Sequence, residues 1–471
     1  MSETSSREPS EVFEGSALRS PSLILSTCLG NLQYTPPHLL ADVLRCDDVP
    51  LIGQLELADV IGRDFGDVAL SSLQPEVQGT VRPLLVASAR HMSRGAGVCS
   101  KLSLDIDAPG GRKAITPAKF AARVAIDRPW AVIALADEVP MTSGNKRLTK
   151  STERTMNMFK QLVALPPFEI GNNRNGHGEY APPVLFGVTV AGFTESHMGT
   201  MAAELVRLGA RGIVIGGAHM GETQEQLGAA ISRVRQAVGV TVPLLVQGAD
   251  TMAQVLHALR CGVDLLASNI PALATARGLA LIPSCQSTED RNRNRIRDDD
   301  SGSSGSSGGK GGDPKKPRIE PAAAAGSRSG SGTGSAKVEE SEDQETAEYV
   351  GRFGPVLDLR HQANRADLGP VDADCSCHCC RHHTRAYVHH LLRAKELLGE
   401  ALLYAHNQHR LLALVGAVHA SRSGTRGGAQ GVATTSANEE DVLSAVPVGE
   451  SARDTAAPVI TTGAGVEAEE D

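Results

Sequence analysis

The 471-residue chain has few aromatic side chains and no long apolar run, and each shortage excludes a class of protein. Aromatic residues make up only 3%, which argues against a base-stacking surface for single-stranded nucleic acid. No stretch of about 18 apolar residues occurs, so the sequence predicts no transmembrane helix. The N-terminal segment 1–15 is polar and acidic and lacks the basic and apolar parts of a signal sequence.

An excess of basic residues is also missing, since the formal net charge is −8. A molecule of this sign does not attract nucleic acid through its overall field, so any RNA contact must come from a local basic patch or a partner. Five of the nine cysteines are scattered singly, which suits a reducing compartment. We therefore expect a cytoplasmic protein.

The other four cysteines lie within six residues, and a helical pattern with several histidines follows them. Zinc prefers four Cys or His ligands in a tetrahedron, and a closed Cys3His set leaves no position open for water. The spacing favours Cys375, Cys377, Cys380 and His406 as the ligands of one structural zinc ion. A redox patch or a disulfide pair is the alternative interpretation of such a cluster.

The register of this cluster stays open at the level of sequence. Cys379 could replace Cys380. Six further histidines compete for the fourth place: His378, His382, His383, His389, His390 and His409.

Apolar runs of strand length alternate with helical patterns between residues 131 and 280. The predicted strands are 131–137, 183–192, 212–217, 243–248 and 262–268. The predicted helices are 151–164, 199–208, 223–238 and 252–260. Continuous apolar runs are typical of strands buried on both faces, and the alternation indicates βα units. No Gly-x-Gly-x-x-Gly opens a helix after the first strand, so we predict an α/β fold built as a (β/α)8 TIM-type barrel with an inserted zinc-binding subdomain, and not an open doubly wound sheet.

Three earlier segments are also strand candidates. Residues 81–89 form the strongest one, whereas 22–30 and 49–57 are interpreted as strands outside the barrel or across its floor. A helix over 386–418 is expected to carry His406 and to pack on the barrel.

Composition divides the chain into five parts. They are a disordered N-terminus at 1–21, a barrel at 22–284, a low-complexity insertion at 285–347, the zinc subdomain with the C-terminal helix at 348–420, and a disordered tail at 421–471. The insertion is Gly/Ser-rich and is interpreted as a solvated linker, while its PKKPR segment leaves nuclear import or RNA tethering as the alternative.

The segment HTRAYVHHLL at 383–392, followed by His406 and Asn407, resembles the zinc subdomain of the tRNA-guanine transglycosylases. The similarity covers about 81–280 and 349–418. Catalytic members of that family exchange a guanine in tRNA for a queuine-type base, through an aspartate that attacks the ribose carbon. The resemblance implies a barrel, one structural zinc ion and a role on tRNA.

The catalytic residues of the family are not found at the matching positions. The stretch GVDLLASNIP at 262–271 matches the family's GVDMFDCVxP, and it places Ala267 where the nucleophilic aspartate belongs. The Asp-Ser-Gly-Gly-Phe-Gln string that carries the general acid/base does not occur. Val190 stands in place of a base-recognising glutamine, so the amide that would bind a purine edge is missing.

Part of a base pocket is retained in sequence. Asp137, Gly216 and Gly217 match residues near the base in catalytic members, which implies a vestigial pocket. Asp137 alone could equally be a satisfied carboxylate at a strand end. The resemblance is greatest to the family's non-catalytic members, and it implies a heterodimer with a catalytic queuine tRNA-ribosyltransferase subunit that acts on the anticodon wobble base. It also implies a peripheral association with the mitochondrial outer membrane in some cells.

Three alternatives remain. The first is an active transglycosylase in which Asp264 or Glu222 replaces the nucleophile. The second is a zinc-dependent barrel hydrolase, which the lack of histidine-rich strand ends disfavours. The third is a zinc-stabilised scaffold without a role in tRNA modification.

Overall fold

The computed structural model describes residues 20–28, 31–34, 52–56, 84–89, 91, 98–100, 103–108, 111–168, 182–190, 197–218, 220, 222–282 and 352–423. The strands are β1 (Ser22–Cys28), β2 (Asn31–Leu32), β3 (Ile52–Glu56), β4 (Leu84–Ser88), β5 (Val98–Cys99), β6 (Leu104–Ala108), β7 (Gly111–Ile115), β8 (Ala131–Ile133), β9 (Val184–Thr189), β10 (Gly212–Ile215), β11 (Leu244–Gln247), β12 (Leu265–Ser268), β13 (Leu279–Leu281) and β14 (Val356–Asp358). The α-helices are α1 (Pro117–Asp127), α2 (Asn145–Val163), α3 (His197–Arg207), α4 (Gln224–Val238), α5 (Met252–Arg260), α6 (Ile270–Ala276), α7 (His378–His382), α8 (Arg385–Ala394) and α9 (Leu397–Ser423). A 3-10 helix spans Gln362–Ala366.

Eight parallel strands form a closed barrel in the order β1, β3, β4, β8, β9, β10, β11, β12. The ring closes where β12 pairs with β1 in parallel register, for example Ile24 opposite Ala267. The predicted (β/α)8 barrel is confirmed. Its interior is filled by apolar side chains from every strand, including Ile24, Ile52, Val86, Ile133, Phe186, Val188, Val214, Leu245 and Leu265.

The prediction for residues 22–30 and 49–57 was wrong in one respect. Both segments do contain strands, but β1 and β3 belong to the barrel wall and do not lie outside it or across its floor. Their inward positions become polar toward the carboxyl end, at Ser26 and Gln54. This polarity breaks the continuous apolar run that identifies a barrel strand in sequence.

The helices between the later strands begin where the sequence supplies capping residues. Thr223 and Thr251 each accept a hydrogen bond from the backbone three residues on, at Gln226 and Gln254, whose side chains bond back to form capping boxes. α4 ends at Gly239, whose positive φ of 78° is a backbone angle that glycine adopts without strain. These local signals explain why both helices were predicted nearly to the residue.

The polypeptide from Val356 onward packs against the end of the barrel. β14 pairs antiparallel with β13. α9 contacts α6, β13 and β1, as predicted for the helix that carries His406. The single helix predicted over 386–418 is wrong, because α8 and α9 are separated at Lys395, which has a φ of 58° and donates its N–H to α8 carbonyls.

The proposed domain boundaries remain predictions. The segments predicted as N-terminus, insertion and tail lie outside the described residues, apart from 20–21 and 421–423.

Candidate metal centre and barrel mouth

The described residues contain one group of four side chains able to hold a metal, namely Cys375, Cys377, Cys380 and His406. All four are buried, and their ligand atoms lie within 4.8 Å of one another. Nδ1 of His406 is 3.2 Å from Sγ of Cys380 and 3.7 Å from Sγ of Cys377. Three sulfurs and one imidazole nitrogen around one point are the donors of a closed tetrahedral site, so the cluster could hold one metal ion.

The short helix α7 brings two of these sulfurs together. Cys377 caps the helix, and its Sγ accepts a hydrogen bond from the backbone N–H of Cys380 at 3.4 Å. Hydrogen bonds from the thiols of Cys375 and Cys380 lower the pKa of Cys377 to about 4. A depressed pKa favours the thiolate, which is the form that binds a metal.

His406 is oriented by a backbone group of the barrel. Its Nε2 lies 3.0 Å from the carbonyl oxygen of Leu281, which can only accept, so Nε2 carries the proton and donates it. Nδ1 is therefore left with a lone pair that faces the sulfurs. Asn407 bonds the same strand, because its Oδ1 accepts from the N–H of Leu281 at 2.8 Å and its Nδ2 donates to the Leu279 carbonyl at 2.9 Å. The Cys3His cluster and β13 are thus held together by two successive residues of α9.

Cys379, the alternative to Cys380, lies outside the cluster. It is fully buried, and burial raises the pKa of its thiol well above the usual range. Its thiol is not one of the four ligand groups that meet at one point, and it packs in the apolar core around them.

The competing histidines also have other surroundings. Nδ1 of His389 lies 2.8 Å from the Leu359 carbonyl oxygen, and Nε2 of His409 lies 3.4 Å from Oγ of Ser376. The remaining four are exposed or half-exposed: His378, His382, His383 and His390.

The position of the family's nucleophile lies inside the mouth of the barrel. Ala267 is fully buried on β12, between Ile24 of β1 and Gln247 of β11. Nε2 of Gln247 donates a hydrogen bond to Oε1 of Gln54 at 3.0 Å, which links β11 to β3 across the β12–β1 pair. A methyl group has no lone pair to attack with, and the adjoining amides are bonded to each other.

Asp264 lies at the opposite end of the same strand. Its carboxylate accepts hydrogen bonds from Ser20 Oγ at 2.7 Å, from the Leu244 N–H at 2.9 Å and from an Arg235 nitrogen at 2.5 Å. Its own carbonyl accepts from the Ser22 N–H at 2.9 Å. Asp264 therefore joins β1, β11 and α4 at the floor of the barrel, at the other end of the strand from Ala267.

Asp137, the retained pocket residue, is fully buried and ion-paired. Two nitrogens of Arg147 donate to its two carboxylate oxygens at 2.7 and 2.6 Å, and Arg154 donates at 3.2 Å. Its backbone N–H bonds Oγ1 of Thr155 at 2.9 Å, and its carbonyl accepts from the hydroxyl of Ser151. The carboxylate is therefore satisfied by α2, but the predicted strand 131–137 ends at Ile133, so Asp137 lies in the loop after β8 and not at a strand end.

Gly216 and Gly217 have a packing reason for lacking side chains. A Cβ atom on Gly216 would stand 2.1 Å from the Thr189 carbonyl oxygen, and one on Gly217 would stand 2.3 Å from that of Val139. The N–H of Gly217 also donates to Glu138 Oε2 at 3.1 Å. The assignment of these glycines and Asp137 to a base pocket stays a prediction.

Sequence reasoning missed two pairs of residues. Arg147 and Arg154 are seven residues apart, a helical spacing that places both on the face of α2 turned toward Asp137. Gln54 and Gln247 interrupt apolar barrel strands with buried amides. In both pairs, the signal in the sequence was a polar side chain within a pattern of residues that otherwise indicated burial.

Among the described helices, none combines the length and the apolar character that crossing a membrane requires.

Comparison with known proteins agrees with this arrangement. Queuine tRNA-ribosyltransferase accessory subunit 2 of Xenopus tropicalis is 27% identical over 410 residues, which cover 86% of this chain and 89% of that protein. The protein of the same name from Gallus gallus is 27% identical over 418 residues, 83% of this chain and 84% of its own length. Queuine tRNA-ribosyltransferase of Prochlorococcus marinus (strain MIT 9313) is 26% identical over 241 residues, 51% of this chain and 46% of its own.

The family model described as queuine tRNA-ribosyltransferase matches residues 95–422, which include Asp137, Ala267 and the Cys3His cluster. On this match, the chain belongs to the queuine tRNA-ribosyltransferase family.

Proposed function

We propose that this chain is a non-catalytic subunit of a heterodimeric queuine tRNA-ribosyltransferase. Its partner is a catalytic subunit of the same family, and the pair exchanges guanine for queuine at the anticodon wobble position of tRNA. The observation that carries the proposal is Ala267, a methyl side chain at the barrel-mouth position where the family resemblance places the attacking carboxylate. The names of the relatives from Xenopus tropicalis and Gallus gallus support the accessory role.

The other carboxylates near this region do not replace the missing nucleophile. Asp264 is committed to Arg235 and to backbone groups at the barrel floor. Glu222 accepts a hydrogen bond from the N–H of Met220 at 3.0 Å and so contributes to the loop after β10. Both observations count against an active enzyme with a displaced nucleophile.

The geometry around Asp137 also disfavours base recognition. A carboxylate can accept hydrogen bonds from a purine edge only if its oxygens are available, and here Arg147 and Arg154 engage both of them. Val190, at the position of the family's glutamine, is buried and offers no side-chain hydrogen bond. We infer that a queuine-type base is bound by the partner and not by this chain.

The Cys3His cluster is proposed to hold one zinc ion with a structural role. Zinc bound to four protein ligands has no open position, so it supplies folding energy and no reaction chemistry. Cys375, Cys377, Cys380 and Nδ1 of His406 would hold it. His406 and Asn407 then fix α9 to β13, so the ion would set the position of the whole subdomain.

The surface of this subdomain is the proposed site of partner contact. Of the five large apolar side chains that are exposed in the described residues, four lie between 368 and 398: Leu368, Tyr387, Leu397 and Leu398. Exposed apolar side chains gathered in one region are typical of protein interfaces. We place the complex in the cytoplasm, with a peripheral association at the mitochondrial outer membrane.

Base exchange with the separated subunits tests the proposal. Labelled queuine is offered with cognate tRNA to this chain alone, to the catalytic subunit alone and to the pair. We expect incorporation with the pair and none with this chain alone. Incorporation by this chain alone, or a covalent tRNA adduct trapped on it, would show that it is an enzyme. Failure to bind the catalytic subunit would favour a scaffold.

A further inference from the structure

Three histidines of the cysteine-rich segment remain outside the Cys3His cluster and gather at the surface beside it. His378 and His382 are four positions apart on α7, and His383 follows directly. The ring of His378 contacts those of His382 and His383, and the ring of His383 stacks on Tyr387.

The ring spacing is compatible with a shared ion. The centroids of His378 and His382 are 4.7 Å apart, and those of His378 and His383 are 5.7 Å apart. Two imidazoles that bind one ion through Zn–N bonds of about 2.0–2.1 Å place their centroids about 5 Å apart. The two rings meet at 45° and are not stacked face to face, so they can turn their nitrogens toward one point.

The surroundings of these histidine rings also allow a metal ion to bind. His378 and His383 are half-exposed and His382 is exposed, so water can complete the coordination of an ion held there. Imidazole nitrogens without thiolates suit borderline divalent ions such as Zn²⁺, Ni²⁺, Co²⁺ and Cu²⁺. Surface access and few protein ligands make binding reversible, unlike the enclosed Cys3His set.

We propose that His378 and His382 form a second metal site, exposed and labile, that takes one borderline divalent transition-metal ion together with water. The site shares α7 with two ligands of the buried cluster, since Cys377 caps that helix and Cys380 lies within it.

Equilibrium dialysis of the full chain against buffered Zn²⁺ tests this. We expect two ions per chain, one that resists a weak chelator and one that the chelator removes. The double variant His378→Ala/His382→Ala should lose only the removable ion. His390→Ala, which changes an exposed histidine on α8, should retain both.

Two further measurements identify the ion that is lost. Co²⁺ added to the zinc-loaded protein should bind without a thiolate charge-transfer band, and that binding should disappear in the double variant. The variant's thermal unfolding and its tightly held ion should match those of the parent, which excludes a folding defect. If the parent binds only one ion per chain, the histidine rings contact one another but hold no metal. If a second ion persists in the double variant, its site lies elsewhere. Either result would overturn the proposal.

Discussion

At the scale of single residues, two positions at opposite ends of β12 differ in what they contribute. Ala267 lies at the mouth and offers no nucleophile, whereas Asp264 lies at the floor and joins three neighbouring elements. They are only three positions apart in sequence, yet they lie at opposite ends of a barrel strand. A carboxylate near the motif is therefore no evidence of activity until the strand end it occupies is known.

Restoring the missing carboxylate should not restore activity. Ala267→Asp would place an acid beside Gln247, but the general acid/base motif is absent and Val190 still replaces the recognition amide. We expect incorporation of labelled base by this variant alone to stay at background, as it does for the matched Ala267→Ser variant. Turnover by Ala267→Asp above Ala267→Ser would mean that the rest of the active site is intact.

Asp264→Asn should destabilise the barrel. The change removes the charge that faces Arg235 at 2.5 Å while leaving the guanidinium largely buried, and breaking such a pair costs about 3 kcal/mol. Urea unfolding followed by circular dichroism would measure the loss. Asp107→Asn is the matched control, because its pair with Arg112 is exposed and should contribute little. Equal effects of the two changes would contradict the structural role of Asp264.

At the scale of secondary-structure elements, the Cys/His subdomain depends on α7 and α9 meeting at one point. α7 is only five residues long and cannot be stable as an isolated helix. Its position is set by the cluster of sulfurs and by His406 of α9. The proposed ion therefore supplies the stabilisation that a five-residue helix cannot obtain from an apolar core of its own.

Two cysteine variants separate metal binding from packing. Cys377→Ala should reduce the tightly held ion from one per chain to none, unfold the subdomain and abolish capture of the catalytic subunit. Cys379→Ala should keep the ion, because Cys379 is buried outside the cluster. Metal content by mass spectrometry and pull-down of the partner are the measurements. Loss of the ion in Cys379→Ala would show that Cys379 is a ligand and that the third cysteine of the set has been assigned to the wrong residue.

The α8 surface should carry part of the partner contact. Tyr387 is 41% exposed, and its ring stacks on His383 at a centroid distance of 5.2 Å. Tyr387→Ala should weaken the complex by tenfold or more, since an aromatic at the centre of an interface is typically worth about 2 kcal/mol. Val240→Ala changes the fifth of the exposed large apolar residues that the structure describes, which lies outside this region, and should leave binding unchanged. Binding of labelled catalytic subunit measures both, and an unaffected Tyr387→Ala complex would move the interface away from α8.

At the scale of the whole molecule, the described residues on either side of the predicted insertion meet beside the barrel. The N–H of Ile282 donates to the Pro355 carbonyl at 2.9 Å, next to the pairing of β13 with β14. A short connection can therefore join the two parts without strain.

Deletion of residues 286–346 should preserve the fold, the metal content and the partner. Thermal unfolding and base exchange by the reconstituted pair should match those of the full chain. A deletion that folds and binds the partner but loses activity on tRNA would support RNA tethering by the basic PKKPR segment.

The sequence by itself determined the features that are encoded by residues close to one another along the chain. The Cys3His spacing, the capping residues Thr223 and Thr251, and the missing carboxylate at Ala267 were all readable, because each depends on residue type over a few positions or one helix. Only the tertiary structure decided which strands close the ring, where α8 ends, and that two arginines of α2 hold Asp137. Those outcomes depend on which segments, far apart in sequence, come into contact. Closure of the barrel fixes these contacts together for the whole chain.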